Sequence, residues 1–335
     1  VGLFLHTVGN PFGALSPCQK WFMRKPAALP SNIQGRLFTL SEQRDAGVPE
    51  HRAWSSDLLV PSRGIRVPWG QAQDIRNTAR VLTSVCEGTV CCRETAAMLW
   101  LCPLPLAAQR SFLVHLSRRD GTHRPQRRGV RGHRMVLPDA DVCELDGVPL
   151  TTPARTWLDL AGVLPFEDLV AAADHFVCTQ TRSFGHNRTA LCSLADVAAQ
   201  IEANAGRRGI RKARAALELA RVGADSVPET KLRLALGRAS LPEPALSYVV
   251  CTPDGREVAW PDLAYPEFKV AVHYDGGHHL TAEQKESDIR RDEALAANGW
   301  TSITVTAKHI RLGGYDAAAR RVCGALIRNG WSPRG

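Results

Sequence analysis

The 335-residue chain carries 10 cysteines but no CxxC pair and no Cys/His spacing of the kind that binds zinc. Cys91 and Cys92 are adjacent and the others stand singly in apolar segments, the pattern of reduced, buried thiols rather than of a disulfide framework. No apolar run reaches the ~20 residues a membrane-crossing helix needs, so no membrane partner is expected. The opening VGLFLH is too short for a secretory core, lacks a basic flank and runs into Pro and Gly. The expectation is a cytoplasmic protein in which residues 1–34 form an irregular extension. Acids are short as well, 33 Asp+Glu against 42 Lys+Arg, for a net charge of +9. The deficit is local: Arg110, Arg118, Arg119, Arg124, Arg127, Arg128, Arg131 and Arg134 are opposed in that stretch only by Asp120. Most of the basic residues are Arg, which suits bidentate contact with phosphate, so a nucleic-acid partner is expected.

Against these absences, the length and a 44% hydrophobic content are enough for two or more domains with cores of their own. Residues 35–73 read as a winged-helix-like segment. FTLSEQRDAG predicts a helix capped by Thr39 or Ser41 and stopped at Gly47, and VPEHRAW begins a second short helix. Leu58–Val60 and Ile65–Pro68 then form a basic hairpin around Ser62-Arg63-Gly64. In that pattern Arg52, Arg63 and Arg66 are candidate DNA contacts. The alternative is a small helical packing or dimerisation module.

Residues 74–180 read as a mixed α/β region, with a helix at RETAAMLW and strands at FLVHL, VRGHR and VPL. Thr152 caps a further helix with Pro153 at its first position, and another helix runs from Phe166 to Val177. Arg127, Arg128 and Arg131 extend the candidate DNA surface, the alternative being a solvated loop. His133, between strands, is more simply a surface or hydrogen-bonded core residue than a catalytic one. A helical connector, 181–225, ends in the boundary-like ADSVP.

The last region, 226–335, carries the chemistry. A helix opens behind Pro228 with Glu229 in its first turn. Strands follow at about 247–251 and 257–264, then a buried strand from Phe268 to Tyr274 that leads into Asp275-Gly276-Gly277-His278-His279. A helix around Asp288–Leu295, a strand at 300–306 and a terminal helix from about Tyr315 complete an α/β (α+β) arrangement. Oxygen and nitrogen donors converging at strand ends are what divalent metals and phosphodiester hydrolysis need.

The runs PETKLRLALGRASLPEP, PDLAYPEFKVAVHYDGGHH and DIRRDEALAANGWTSITVT resemble the endonuclease-like domain related to very-short-patch-repair nucleases, in the PD-(D/E)xK superfamily. Upstream, FTLSEQRDAGVPEHRAW, RETAAMLWL and LTTPARTWLDLA resemble actinobacterial proteins that join this domain to a type IV abortive-infection antitoxin-like winged helix. The resemblance implies a restriction-endonuclease-like mixed sheet flanked by helices. Glu229 would be the helix carboxylate, Asp262 the central metal ligand, Asp275 a neighbour of the metal and His279 the histidine after the DG turn. Asp288 and Arg291 would match the downstream helix motif, with Arg291 on the DNA side. Mg or Mn is the implied cofactor. One departure stands out: the family has Glu-x-Asp-Gly where this chain has His273-Tyr274-Asp275-Gly276. Histidine binds Mn or Zn but suits Mg poorly. Two functions follow as expectations, a metal-dependent DNA endonuclease and a non-catalytic DNA-binding antitoxin-like or regulatory protein. A homodimer or a toxin-like protein is the alternative partner.

Overall fold

The computed structural model describes residues 26–72, 74–109, 113–180, 187–276 and 282–333. They form an α/β protein with mixed sheets, in two compact units, Val1–Leu160 and Ala161–Gly335. The sequence-based boundaries lay at 34, 73, 180 and 225, and the helix Phe166–Val177 belongs to the second unit.

The first unit opens with β1 (Phe38–Thr39) and α1 (Leu40–Asp45). Thr39 caps α1, and Glu42 reaches back to the Thr39 N–H, a reciprocal capping box that satisfies two otherwise orphaned donors. The expected second helix is a five-residue 3-10 turn, Glu50–Trp54. The expected hairpin is present as β2 (Leu58–Leu59) and β3 (Ile65–Pro68), and β1 adds a third strand in the order β1-β3-β2. Gly64, with φ +73°, makes the turn that a Cβ-bearing residue would strain.

Next come α2 (Ile75–Val85), β4 (Thr89–Cys91), α3 (Arg93–Leu99) and α4 (Leu106–Gln109). They are followed by β5 (Val114–Arg118), β6 (Val130–Arg134), β7 (Val142–Leu145), β8 (Val148–Thr151) and α5 (Pro153–Leu160). Five of these strands build a sheet ordered β6-β5-β4-β8-β7, with β5/β6 and β4/β8 parallel and the other pairs antiparallel. Its core joins Leu82 of α2, Ala96 and Leu99 of α3, and Cys91, Leu116 and Leu150 of the strands. Cys91 and Cys92 are buried, and burial pushes both thiols up, as the sequence led one to expect; Cys251 is exposed.

The second unit begins with α6 (Phe166–Val177), α7 (Leu194–Ala203), α8 (Ile210–Leu219) and α9 (Val227–Arg238). Ser226 caps α9, with Pro228 in the first turn. Asp174 of α6 is buried and receives Thr230 Oγ1 and Arg233 Nη2, both at 2.7 Å, and the Arg221 N–H at 2.7 Å. These bonds fix α9, and with it Glu229.

A two-stranded ribbon, β9 (Val250–Cys251) with β10 (Glu257–Ala259), precedes β11 (Leu263–Tyr265) and β12 (Val270–Asp275). Then come α10 (Ala282–Ala297), β13 (Thr301–Thr306) and α11 (Ala307–Arg328), the last interrupted at Gly314 (φ 69°, ψ 177°). The interruption explains why helical periodicity was legible only from Tyr315. β12 is central, antiparallel to β11 and parallel to β13. A strand with a parallel neighbour and cover on both faces reads as a continuous apolar run, as Val270-Ala271-Val272 does. Val270 and Val272 face a core with Leu232 and Leu236 of α9 and Val322 of α11, while Ala271 faces Leu295 of α10. Among the described residues no helix is long and apolar enough to cross a membrane.

Candidate functional site

Glu229 and Asp262 meet in one concavity of the second unit, lined also by Gln180, Gly223, Ser247, Trp260 and Pro261. Glu229 lies in the first turn of α9, accepts the Asp225 N–H at 3.0 Å and is 8% exposed. Asp262 precedes β11 and accepts the Tyr274 N–H of β12 at 2.6 Å, so the carboxylate takes the ladder position beyond the Leu263–Val272 pair. Burial, and next the charge of Asp262, push the Glu229 carboxyl up to about 8, against the opposing bonds from Asp225 and Ser226. Glu229 therefore keeps its proton at neutral pH beside a second acid.

The other expected ligands sit differently. Asp275 ends β12, paired in register with Thr306, and shares a face with His273 because strand side chains alternate. His273 is 6% exposed, and its Nε2 has no hydrogen-bond partner among the described residues. Burial, then the charge of Arg291, push its imidazole down to about 4, with Asp292 opposing. His273 is thus a neutral ring on the α10 side of the sheet. Among the described residues no group of three or more His, Cys, Asp or Glu side chains is placed to hold a metal ion. His279 lies outside the described residues. Arg291 bonds Asp288 at 2.7 Å and lies 3.6 Å from Asp292.

The proposed DNA-contacting arginines divide into two sets. Arg52 is buried and binds Asp57 through both terminal nitrogens, at 2.8 and 2.7 Å, and the Ala27 carbonyl at 2.9 Å. Arg66, 1% exposed, donates to the Ala53 and Ile65 carbonyls. Both hold the first unit together and offer no phosphate contact, a correction that spacing alone had no means to supply. Arg63, Arg128 and Arg131 are exposed. Arg127 bridges the two basic features: its Nη2 lies 4.0 Å from where a Cβ on Gly64 would stand, so the arginine-rich crossover leans on the hairpin turn.

One constellation was not anticipated. Glu94 Oε2 lies 2.8 Å from His115 Nδ1, which lies 3.2 Å from His133 Nε2, and Arg93 Nη1 lies 3.3 Å from His133 Nδ1. Burial and then the Arg93 charge push His133 down to about 4, so it is a neutral ring between Arg93 and His115. Burial alone would raise Glu94, but the His115 contact outweighs it and takes the carboxyl down to about 2. His133 is hydrogen-bonded and half-buried, as the simpler sequence reading held. The only signal in the sequence was the clustering of Glu94, His115 and His133 on elements that a sheet could bring together.

The chain is 26% identical over 271 residues to the uncharacterized protein Rv2248 of Mycobacterium tuberculosis strain H37Rv and to the uncharacterized protein MT2308 of strain CDC 1551; each alignment covers 79% of this chain and 93% of the relative. No protein-family model and no solved structure matches it.

Proposed function

We propose that this is a cytoplasmic DNA-acting protein in which an antitoxin-like, winged-helix-type N-terminal region is joined to a metal-dependent endonuclease domain related to very-short-patch-repair nucleases. The observation that carries the reading is buried Glu229 set beside half-buried Asp262 in a concavity at the sheet end. Two acids desolvated together are unfavourable unless a proton or a cation separates their charges. The order of α9, the four strands β9–β12, α10, β13 and α11, with β12 and β13 parallel, supports the same reading.

The donors suit a hard cation such as Mg or Mn, since both are carboxylates; Glu229 and Asp262 would hold it, and His273 would not join them. Such an ion, when bound, supplies Lewis-acid polarisation of a phosphodiester. The chain's own residues do the rest. The Tyr274 N–H fixes Asp262, the Asp225 N–H and the Ser226 cap fix Glu229, and Glu229 carries a proton that it gives up when positive charge arrives. Exposed Arg128 and Arg131 supply attraction for the DNA backbone.

The second reading is a non-catalytic DNA-binding protein, with a homodimer or a toxin-like protein as partner. The buried, neutral His273 favours it, because a carboxylate expected there is replaced by a ring turned toward α10. Plasmid nicking with Mg or Mn separates the two. On the first reading the parent nicks, and Asp262→Ala reduces the rate by at least ~100-fold. Salt-sensitive binding without nicking in either protein supports the second. Activity gained only in His273→Glu identifies a nuclease fold that has stopped cutting.

A further inference from the structure

Trp54 is 75% exposed yet firmly held. It ends the 3-10 turn Glu50–Trp54, and both residues before it are anchored. Arg52 is clamped by Asp57 and the Ala27 carbonyl, while Ala53, 4% exposed, gives its carbonyl to Arg66 Nε at 2.6 Å. The Arg66 guanidinium carbon lies 4.6 Å from the centroid of the Trp54 ring. Since Arg66 is 1% exposed, the indole covers it with one face and presents the other to solvent. A large aromatic ring normally ends up in a core or an interface, and a ring backed by a buried cation has its plane set in advance.

The neighbourhood is aromatic and basic. Trp69 is 71% exposed, and its backbone N–H donates to the Asp57 carbonyl at 2.8 Å, which sets its backbone opposite the loop that follows Trp54. Arg63 is exposed at the hairpin turn, and Arg127 lies against Gly64 of the same turn. The acid within this loop, Asp57, is already paired with Arg52. Arginines for phosphate beside rings for bases are the composition of single-strand binding surfaces. A five-residue 3-10 turn spans about 10 Å, too short to lie along a major groove and read base edges.

We propose that the open face of Trp54 is a stacking platform for an unpaired base, with exposed Arg63 of the hairpin for a flanking phosphate, so that the first unit binds single-stranded or locally unpaired DNA in preference to intact duplex. This rests on the DNA-acting reading above and specifies which DNA the first unit takes.

The test is fluorescence anisotropy of the full chain with a labelled 20-nucleotide single strand, the matching duplex, and the duplex with a central three-base bulge. The parent is expected to bind the single strand and the bulge about tenfold or more tighter than the duplex. Trp54→Ala should lower single-strand affinity about 10- to 100-fold, as loss of one stacked base does, and leave duplex affinity within about twofold. Trp54→Phe keeps a ring over Arg66, so it should retain most of the preference; it also serves if the alanine variant unfolds. Equal affinity of the parent for all three DNAs overturns the proposal, as does an unchanged preference in a folded Trp54→Ala. If Trp54→Ala instead abolishes self-association in sedimentation with DNA binding intact, the ring is a protein contact and the proposal fails. Salt-dependent DNA binding that ignores Trp54 sinks this inference alone, whereas a parent that binds no DNA sinks the DNA-acting reading with it.

Discussion

Each of the two units buries a glutamate, and the two carboxyls respond in opposite directions. Glu94 in the first unit stands against His115 and Arg93 and is held ionised, down to about 2. Glu229 in the second stands against Asp262 and is pushed up to about 8. Burial penalises both charges, so the difference comes from the neighbour, a cationic or proton-donating group in one case and another acid in the other. A buried carboxylate with its counter-charge in place stays ionised; one set against a second acid keeps its proton. That contrast locates the candidate site in the second unit and assigns the Glu94 network to holding α3 against β5 and β6.

The contrast can be broken from either side. The largest effect expected on stability is in the first unit: Glu94→Gln leaves His115 without its partner and should destabilise the protein by about 3 kcal/mol at pH 7, read as a denaturant midpoint shift. Because the folded-state values of Glu94 and His133 are both depressed, their contributions are present at neutral pH and lost on acidification. The loss runs from about 6.5 through 4 for His133 and from about 4.5 through 2 for Glu94. The gap between parent and Glu94→Gln should therefore close as pH falls toward 2.

Glu229 carries the opposite sign. Its raised value means that the folded state binds the extra proton, so its contribution is full below about 4.5 and is lost as pH rises through about 8. Glu229→Gln should match the parent near pH 4 and exceed it by about 1–3 kcal/mol at pH 9 in metal-free buffer. A variant that is less stable than the parent at pH 9 would show that the carboxylate has a counter-charge after all. The smallest effect is at the surface. Arg131→Ala should leave stability unchanged, weaken DNA binding evenly across sequences, and reduce the slope of log affinity against log salt by about 1.

Much of this architecture was legible beforehand because its determinants are local. The α1 cap, offered as Thr39 or Ser41, Pro153 at a helix start, the full span Phe166–Val177 and the apolar run of β12 all follow from residues within a few positions of one another. β4 and β7, of three and four residues, went unread because their pairing comes from β5 and β8, which are distant in sequence. Arg52 and Arg66 looked like surface cations because nothing in their spacing reveals that Asp57, Ala27 and Ala53 surround them. Of the site, Glu229 and Asp262 were identified, and the structure adds their contact and its electrostatic consequence. His273 was identified as a departure from the family pattern, but its burial on the α10 side of the sheet depends on strand register and helix packing.

The central claim is that the Glu229–Asp262 pair holds a proton in place of a cation. Titrating Mn into the protein at pH 7 in weak buffer, with proton release followed by a pH indicator, tests it most directly. Release of roughly one proton per ion bound is expected in the parent, and none in Glu229→Gln. Binding without proton release, or equal release from the Gln variant, would contradict it.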